Sequence, residues 1–158
     1  MFVGDYNSKL DSKCRVIFPS QLKRQVSEEE QAAAFVLKRD IYEKCLVLYT
    51  KSEWNRQVDI MKKRLNPFNP KHAEFLREFY RGAAEVYLDN NSRFLIPRIM
   101  LDYIGAEKDL VFVGLGGTIE IWDNEAYKQR EMNREAFRAR AFELLGGDFS
   151  FSGGLANE

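Results

Sequence analysis

The sequence predicts an α+β fold in which two copies of a small strand-rich unit interleave, flanked by helices. Three observations carry this expectation. The run Asp11-Ser-Lys-Cys-Arg15-Val-Ile-Phe-Pro19 recurs 78 positions later as Asp89-Asn-Asn-Ser-Arg93-Phe-Leu-Ile-Pro97, with aspartate, arginine and proline at the same spacing. Each copy later reaches an apolar run ending in an aromatic, Cys45–Tyr49 and Thr118–Trp122, with a second aromatic five positions on, Trp54 and Tyr127. The remaining segments carry apolar residues at helical spacing. Self-similarity at a fixed offset marks a repeated structural unit. A unit of three or four short strands in ~45 residues buries too little core to stand alone, so the two copies are expected to share one.

Each element follows from its residues. Val16-Ile17-Phe18 and Phe94-Leu95-Ile96 are short apolar runs rich in β-formers, as buried strands are. The small polar residues between each aspartate and arginine suit a tight connection, Asn90 and Asn91 especially. Pro19 and Pro97 end their strands and suit the first position of the short amphipathic segments Ser20–Val26 and Arg98–Ile104. Gly105 is placed to close the second of these. Val111–Gly114 and Ile119–Trp122 flank Leu115-Gly116-Gly117 as a hairpin. Phe35–Leu37 and Cys45–Tyr49 form the matching hairpin with a longer turn.

Helices fill the remainder. Trp54, Val58, Met61 and Leu65 fall on one stripe, with Ser52 placed to cap it. Asn66-Pro67-Phe68-Asn69-Pro70 interrupts the chain between the halves, and His72, Phe75, Leu76, Phe79, Tyr80 and Ala83 form the next apolar face. Asn124–Leu145 reads as one long charged helix with a thin stripe of Tyr127, Phe137, Ala141 and Leu144. The glycine-rich segment 146–158 reads as a flexible tail.

Composition narrows the function. Hydrophobic residues make up 45% of the 158 and charged residues 30%, the balance of an ordinary globular protein. No apolar run approaches the ~20 residues of a membrane span, and the start lacks a basic and then apolar leader. Two cysteines, Cys14 and Cys45, make no disulfide framework, so a reducing, cytoplasmic compartment is expected. Net charge is zero, yet residues 1–24 hold five basic side chains against two acidic, and residues 106–158 hold six against ten. A neutral total therefore conceals a basic amino end, and steering depends on local potential.

Catalytic and cofactor signatures are missing. Gly114-Leu-Gly-Gly-Thr-Ile119 fails as a dinucleotide fingerprint, because its sixth position is isoleucine and a strand follows where a helix is needed. His72, the single histidine, sits in a helical stripe and suits packing. No zinc-spaced Cys/His set and no phosphate-binding loop occurs. No enzyme activity, metal or cofactor is expected.

Three segments resemble the MraZ family of tandem SpoVT-AbrB proteins: Asp11–Lys23, its counterpart Asp89–Leu101, and Cys45–Trp54. The resemblance extends from Met1 to about Leu145. It implies an AbrB-like swapped-hairpin β-barrel of pseudo-two-fold symmetry, with flanking helices. The repeats would be 5–54 and 83–127, joined by connecting helices over 55–82, with a C-terminal helix over 128–145 and the tail at 146–158.

The resemblance further implies a cytoplasmic, nucleoid-associated transcriptional regulator. Its partners would be double-stranded DNA, at short direct repeats in the promoter of the division and cell-wall gene cluster, and further copies of itself in a ring-shaped homo-oligomer. The DNA-binding residues it implies are Lys13, Arg15 and Arg93. Cys14 and Ser92 stand where the family usually has glycine, and a positive φ there would store strain of order 1 kcal/mol. Asn91 replaces the lysine of the first motif. Two alternatives stay open: Arg15 pairing with Asp11 only to hold the loop, and an oligomeric AbrB-like scaffold that binds a protein partner without specific DNA contact.

Overall fold

The computed structural model describes residues 1–146. They form β1 (Phe2–Lys9), β2 (Arg15–Ile17), α1 (Ser20–Lys23), α2 (Glu28–Ala32), β3 (Phe35–Arg39), β4 (Leu46–Tyr49), α3 (Lys51–Arg64) and α4 (Pro70–Tyr80). Then come β5 (Ala84–Val86), β6 (Arg93–Leu95), α5 (Arg98–Ile104), β7 (Asp109–Gly116), β8 (Ile119–Asp123), α6 (Asn124–Gln129) and α7 (Arg134–Leu145). The chain divides into one compact unit over Met1–Tyr127 and a second from Lys128 on.

The two copies exchange strands. The main sheet runs β1-β7-β8-β4-β3-β5, and β2 pairs with β6 in a separate two-stranded ribbon. The first copy's opening strand β1 therefore lies along the second copy's hairpin, while β5 of the second copy lies along β3 of the first. Two pairings sit on the pseudo-two-fold: Val47 faces Glu120 between β4 and β8, and Val16 faces Phe94 in the ribbon. Gly114 allows β1 its close approach, since a Cβ there would meet the Phe2 backbone at 2.7 Å.

The expected closed barrel is not found. Strands β1 and β5 remain the edges of the six-stranded sheet, and β1 reaches the ribbon through a single bridge, Leu10 to Val16. The ribbon strands, three residues each, are too short to complete a ladder with both edges. The mixed α and β composition holds.

One core fills the space between the sheet, the ribbon and the short helices α1 and α5. Phe18 lies 5.5 Å from Phe35, 6.4 Å from Phe94 and 6.1 Å from Phe112, ring centre to ring centre. Leu22, Leu37, Leu46, Leu48, Ile96, Met100, Leu101 and Leu110 surround them, all buried. Strand β4 and the Phe35-Val36-Leu37 start of β3 read as apolar runs because both of their faces are covered, and Lys38, next in β3, is buried as well. On the outer face Val36, Val47 and Tyr49 pack under Trp54, and Cys45, Val111, Val113 and Trp122 pack under Ala126 and Tyr127. The aromatics spaced five apart touch in both copies: Tyr49–Trp54 at 5.2 Å and Trp122–Tyr127 at 6.1 Å.

Helix ends depart from expectation in instructive places. Helix α3 is capped by Thr50, whose hydroxyl accepts from the Glu53 amide, and Ser52 already lies inside the helix. Pro19 and Pro97 each stand one residue before their helix, at the cap. Gly105 closes α5 in the left-handed conformation, as its freedom from a Cβ permits. Residues 124–145 are two helices, not one: Asn133 accepts from the Ala136 amide and starts α7 afresh. Within α7, Phe137, Phe142 and Leu144 are exposed. Most of the expected tail, 147–158, lies outside the described residues.

Candidate nucleic-acid interface

The loop between β1 and β2 is organised by one carboxylate. Asp11 accepts from the Lys13 amide at 2.8 Å and the Arg15 amide at 2.9 Å through Oδ1. Through Oδ2 it accepts from Arg15 Nε at 2.8 Å. The loop between β5 and β6 repeats this arrangement. Asp89 Oδ1 accepts from the Asn91 and Arg93 amides at 2.8 and 2.9 Å, and Oδ2 from Arg93 Nε at 3.1 Å. Aspartate suits this position because its short side chain reaches back onto the following backbone amides. The Arg15 amide above all, with the Lys13 amide and the Arg15 guanidinium, holds the Asp11 carboxyl below the usual carboxylate range, partly opposed by burial. The Arg93 amide leads the same effect on Asp89.

Both loops then pass through left-handed backbone at a residue other than glycine, Cys14 at φ 62° and Ser92 at φ 59°. That conformation points each residue's carbonyl at the other copy: Cys14 O accepts from the Ile96 amide at 3.0 Å, and Ser92 O from the Phe18 amide at 2.8 Å. Backbone strain of this kind persists where surrounding contacts over-determine the geometry, and here the two loops lock each other. Asn90 and Asn91 do not occupy that region. The Cys14 side chain is half-buried and packs against the main core.

The ribbon brings the arginines together. Arg15 stands opposite Leu95 and Ile17 opposite Arg93, while Val16 and Phe94 point into the core. Arg15, Ile17, Arg93 and Leu95 therefore share the outward face. The Arg15 and Arg93 side chains retain 31% and 28% of their exposure, so both stay partly open to solvent. Lys13 is exposed at the loop tip. The expected pairing of Arg15 with Asp11 is present, and because it uses Nε it orients the guanidinium fork.

Lys23 was not among the expected site residues. It projects from α1, and its ammonium donates to Ser92 Oγ at 2.5 Å, bringing a cation of the first copy to the second loop. Its place in the motif, four residues after Pro19, was the only signal for it. At the same offset the second copy has Leu101, fully buried. Arg24 likewise corresponds to Asp102, and Lys13 to Asn91. One backbone geometry thus carries two different charge sets.

His72 plays a local part, its Nδ1 accepting from the Asn66 amide at 2.8 Å. Among the described residues no cluster of metal-ligating side chains occurs, and no helix is long and apolar enough to cross a membrane.

The family model of the MraZ protein matches the chain twice, over residues 1–78 and 79–145. A protein of Christiangramia forsetii named "Transcriptional regulator MraZ" is 37% identical over 150 residues, covering 92% of this chain and 94% of the relative. Its namesake in Phocaeicola vulgatus is 34% identical over 145 residues, with the same two coverages. That of Bacteroides fragilis is 33% identical over 144 residues, 91% of this chain and 90% of its own. Two family matches that abut between the motif copies, and relatives aligned over nine-tenths of the chain, place it plainly: it belongs to the MraZ family.

Proposed function

We propose that this chain is a sequence-specific DNA-binding transcriptional regulator acting in the cytoplasm, at the nucleoid. Its DNA would be short direct repeats in the promoter of the division and cell-wall gene cluster, bound by a ring-shaped homo-oligomer. The observation that carries this reading is the ribbon, where two loops of one geometry each set an aspartate-oriented arginine on a common outward face. The names of the relatives support it. The exchanged strands are read as an AbrB-like swapped-hairpin arrangement. Its repeats are 5–54 and 83–127, linked by helices over 55–82 and followed by a C-terminal segment over 128–145.

Roles follow from side-chain chemistry. With Nε held by aspartate, the outer nitrogens of Arg15 and Arg93 are directed at the O6 and N7 acceptors of a guanine in the major groove. Lys13 serves as a mobile positive charge on phosphate, and Lys23 adds to the potential beside the second loop. So few contacts per subunit give weak, salt-sensitive binding. Several subunits on several repeats convert it to tight binding, because linked sites add ~10²–10⁴-fold in avidity. Exposed aliphatic and aromatic surface on the helices, at Ile60, Phe75 and Tyr80, suits contact between subunits.

The test is binding of wild type and Arg15→Ala to upstream DNA with one, two or four repeats at fixed salt. Wild-type affinity is expected to climb with repeat number. Arg15→Ala should lose about 1–3 kcal/mol on one repeat and more on four. Equal losses on all three, or normal binding by the variant, would return Arg15 to a purely structural partnership with Asp11. Absence of specific binding by the wild type would favour the scaffold that binds a protein partner.

A further inference from the structure

The outward face of the ribbon holds two residues that the DNA reading leaves unused. Ile17 and Leu95 are 54% and 53% exposed, large aliphatic side chains on a solvent-facing strand surface. They occupy equivalent positions in the two motif copies, 78 apart. Each lies directly across the ribbon from an arginine, Ile17 from Arg93 and Leu95 from Arg15. The residues between them on the strands, Val16 and Phe94, are buried, so the core already has its apolar share from β2 and β6. Exposed aliphatics on a short open ribbon invite unwanted strand association; their presence in both copies calls for an occupant.

We propose that Ile17 and Leu95 read thymine, by packing on its C5-methyl group in the major groove beside the guanines met by Arg15 and Arg93. This inference rests on the DNA reading above and deepens it. The chemistry is complementary: the major groove accepts a two-stranded ribbon, and the thymine methyl is its one apolar marker. The flanking cations, Arg15, Arg93, Lys13 and Lys23, make DNA the fitting occupant of an apolar pair set in positive charge. Spacing agrees as well. Residues two apart on an antiparallel strand are about 6.8 Å apart, which equals two base steps of about 3.4 Å each. Arg15 and Ile17 therefore read a guanine and a thymine separated by one intervening base pair, and Arg93 and Leu95 do the same from the partner strand.

The experiment uses the full chain and a promoter duplex in which thymidines are replaced one at a time by deoxyuridine, which removes only the methyl group. Wild type is expected to lose about fourfold in affinity at the read positions, the worth of one buried methyl, and nothing elsewhere. Ile17→Ala should bind thymine and uracil equally at one of these positions while keeping discrimination at the other, and Leu95→Ala the reverse. Both side chains are exposed, so the variants are expected to fold, with circular dichroism as the check; if either fails, the wild-type scan alone decides. Specific wild-type binding with no sensitive thymine overturns the proposal and leaves the DNA reading intact. Unchanged discrimination in Ile17→Ala and Leu95→Ala also overturns it. Failure of the wild type to bind any promoter duplex removes the DNA reading, and this inference with it.

Discussion

The two motif loops share hydrogen bonds atom for atom, yet they differ in what they offer to a partner. In each, an aspartate gathers two amides and one arginine Nε, and a left-handed residue hands its carbonyl to the opposite strand. Only the first carries Lys13 at its tip, where the second has Asn91. The first copy's Lys23 and Arg24 are replaced in the second by Leu101 and Asp102, and Lys23 itself reaches across to Ser92 of the second loop. The backbone is thus held by the aspartate and arginine common to both copies, while the loop-tip position varies freely in the open. The position of Lys23 in the short helix is solvent-reaching in the first copy and core in the second, as Leu101. A scaffold that is nearly symmetric in shape is strongly asymmetric in charge.

The strongest way to break the comparison is to part the copies. Residues 1–66 contain β1 and β2 without β7 and β6, the strands they pair with. That fragment is expected to show no cooperative thermal transition by circular dichroism. A soluble, monomeric fragment melting sharply would sink the claim that the copies share one core.

Truncation in the core comes next. Phe18→Ala removes a ring in contact with Phe35, Phe94 and Phe112 and should lower unfolding free energy by about 3–5 kcal/mol. Its counterpart Ile96→Ala should lose about 2–5 kcal/mol. Urea titration of both variants shows whether the first copy carries more of the shared core.

Acid tests what is common to both loops. Asp11 and Asp89 have carboxyls depressed by amide hydrogen bonds and arginine. A depressed carboxyl stabilises fully above its unfolded value of about 3.9 and is lost as pH falls through the lower folded value. DNA affinity should therefore be indifferent to these groups from pH 7 down to about 5, with loop order decaying only below about 4. Amide NMR signals of Lys13 and Asn91 that shifted together near pH 6 would contradict this.

Charge tests what is different. Lys13→Ala should reduce the slope of log affinity against log salt by about 1, and Asn91→Lys should raise it by about 1. Equal slopes in all three proteins would remove the tips from the DNA. The smallest effect concerns strain: Ser92→Gly relieves the left-handed backbone but removes the Oγ that accepts from Lys23. It should therefore gain less than about 1 kcal/mol, seen as a rise in Tm below about 2–4 °C for a chain of this size.

Much of this was legible in the residues. The 78-position repeat, the hairpin at Leu115-Gly116-Gly117 and the paired aromatics all follow from periodicity and spacing, which depend on local geometry. Strand exchange was expected on grounds of size, but which edge pairs with which is a non-local matter, and the open sheet replaced the expected barrel. The break at Asn133 was hidden because charged residues on both sides favour helix equally. In the candidate interface, Lys13, Arg15 and Arg93 could be named from the motif. The Arg15–Asp11 pairing was open to the sequence as well, but its use of Nε and the reach of Lys23 to Ser92 are set by the tertiary fold. A side chain's partner across 69 positions leaves no trace in spacing.

The pairing of β1 with β7 has a consequence for synthesis. Phe2 faces Gly116 and Lys9 faces Asp109, so during synthesis β1 waits for a partner strand 100–114 residues further along the chain. At roughly 5–20 residues per second, that wait is about 5–20 s. Throughout it the eight-residue β1 lacks its native partner strand. Until β7 has been made, the nascent chain thus offers chaperones an exposed strand edge.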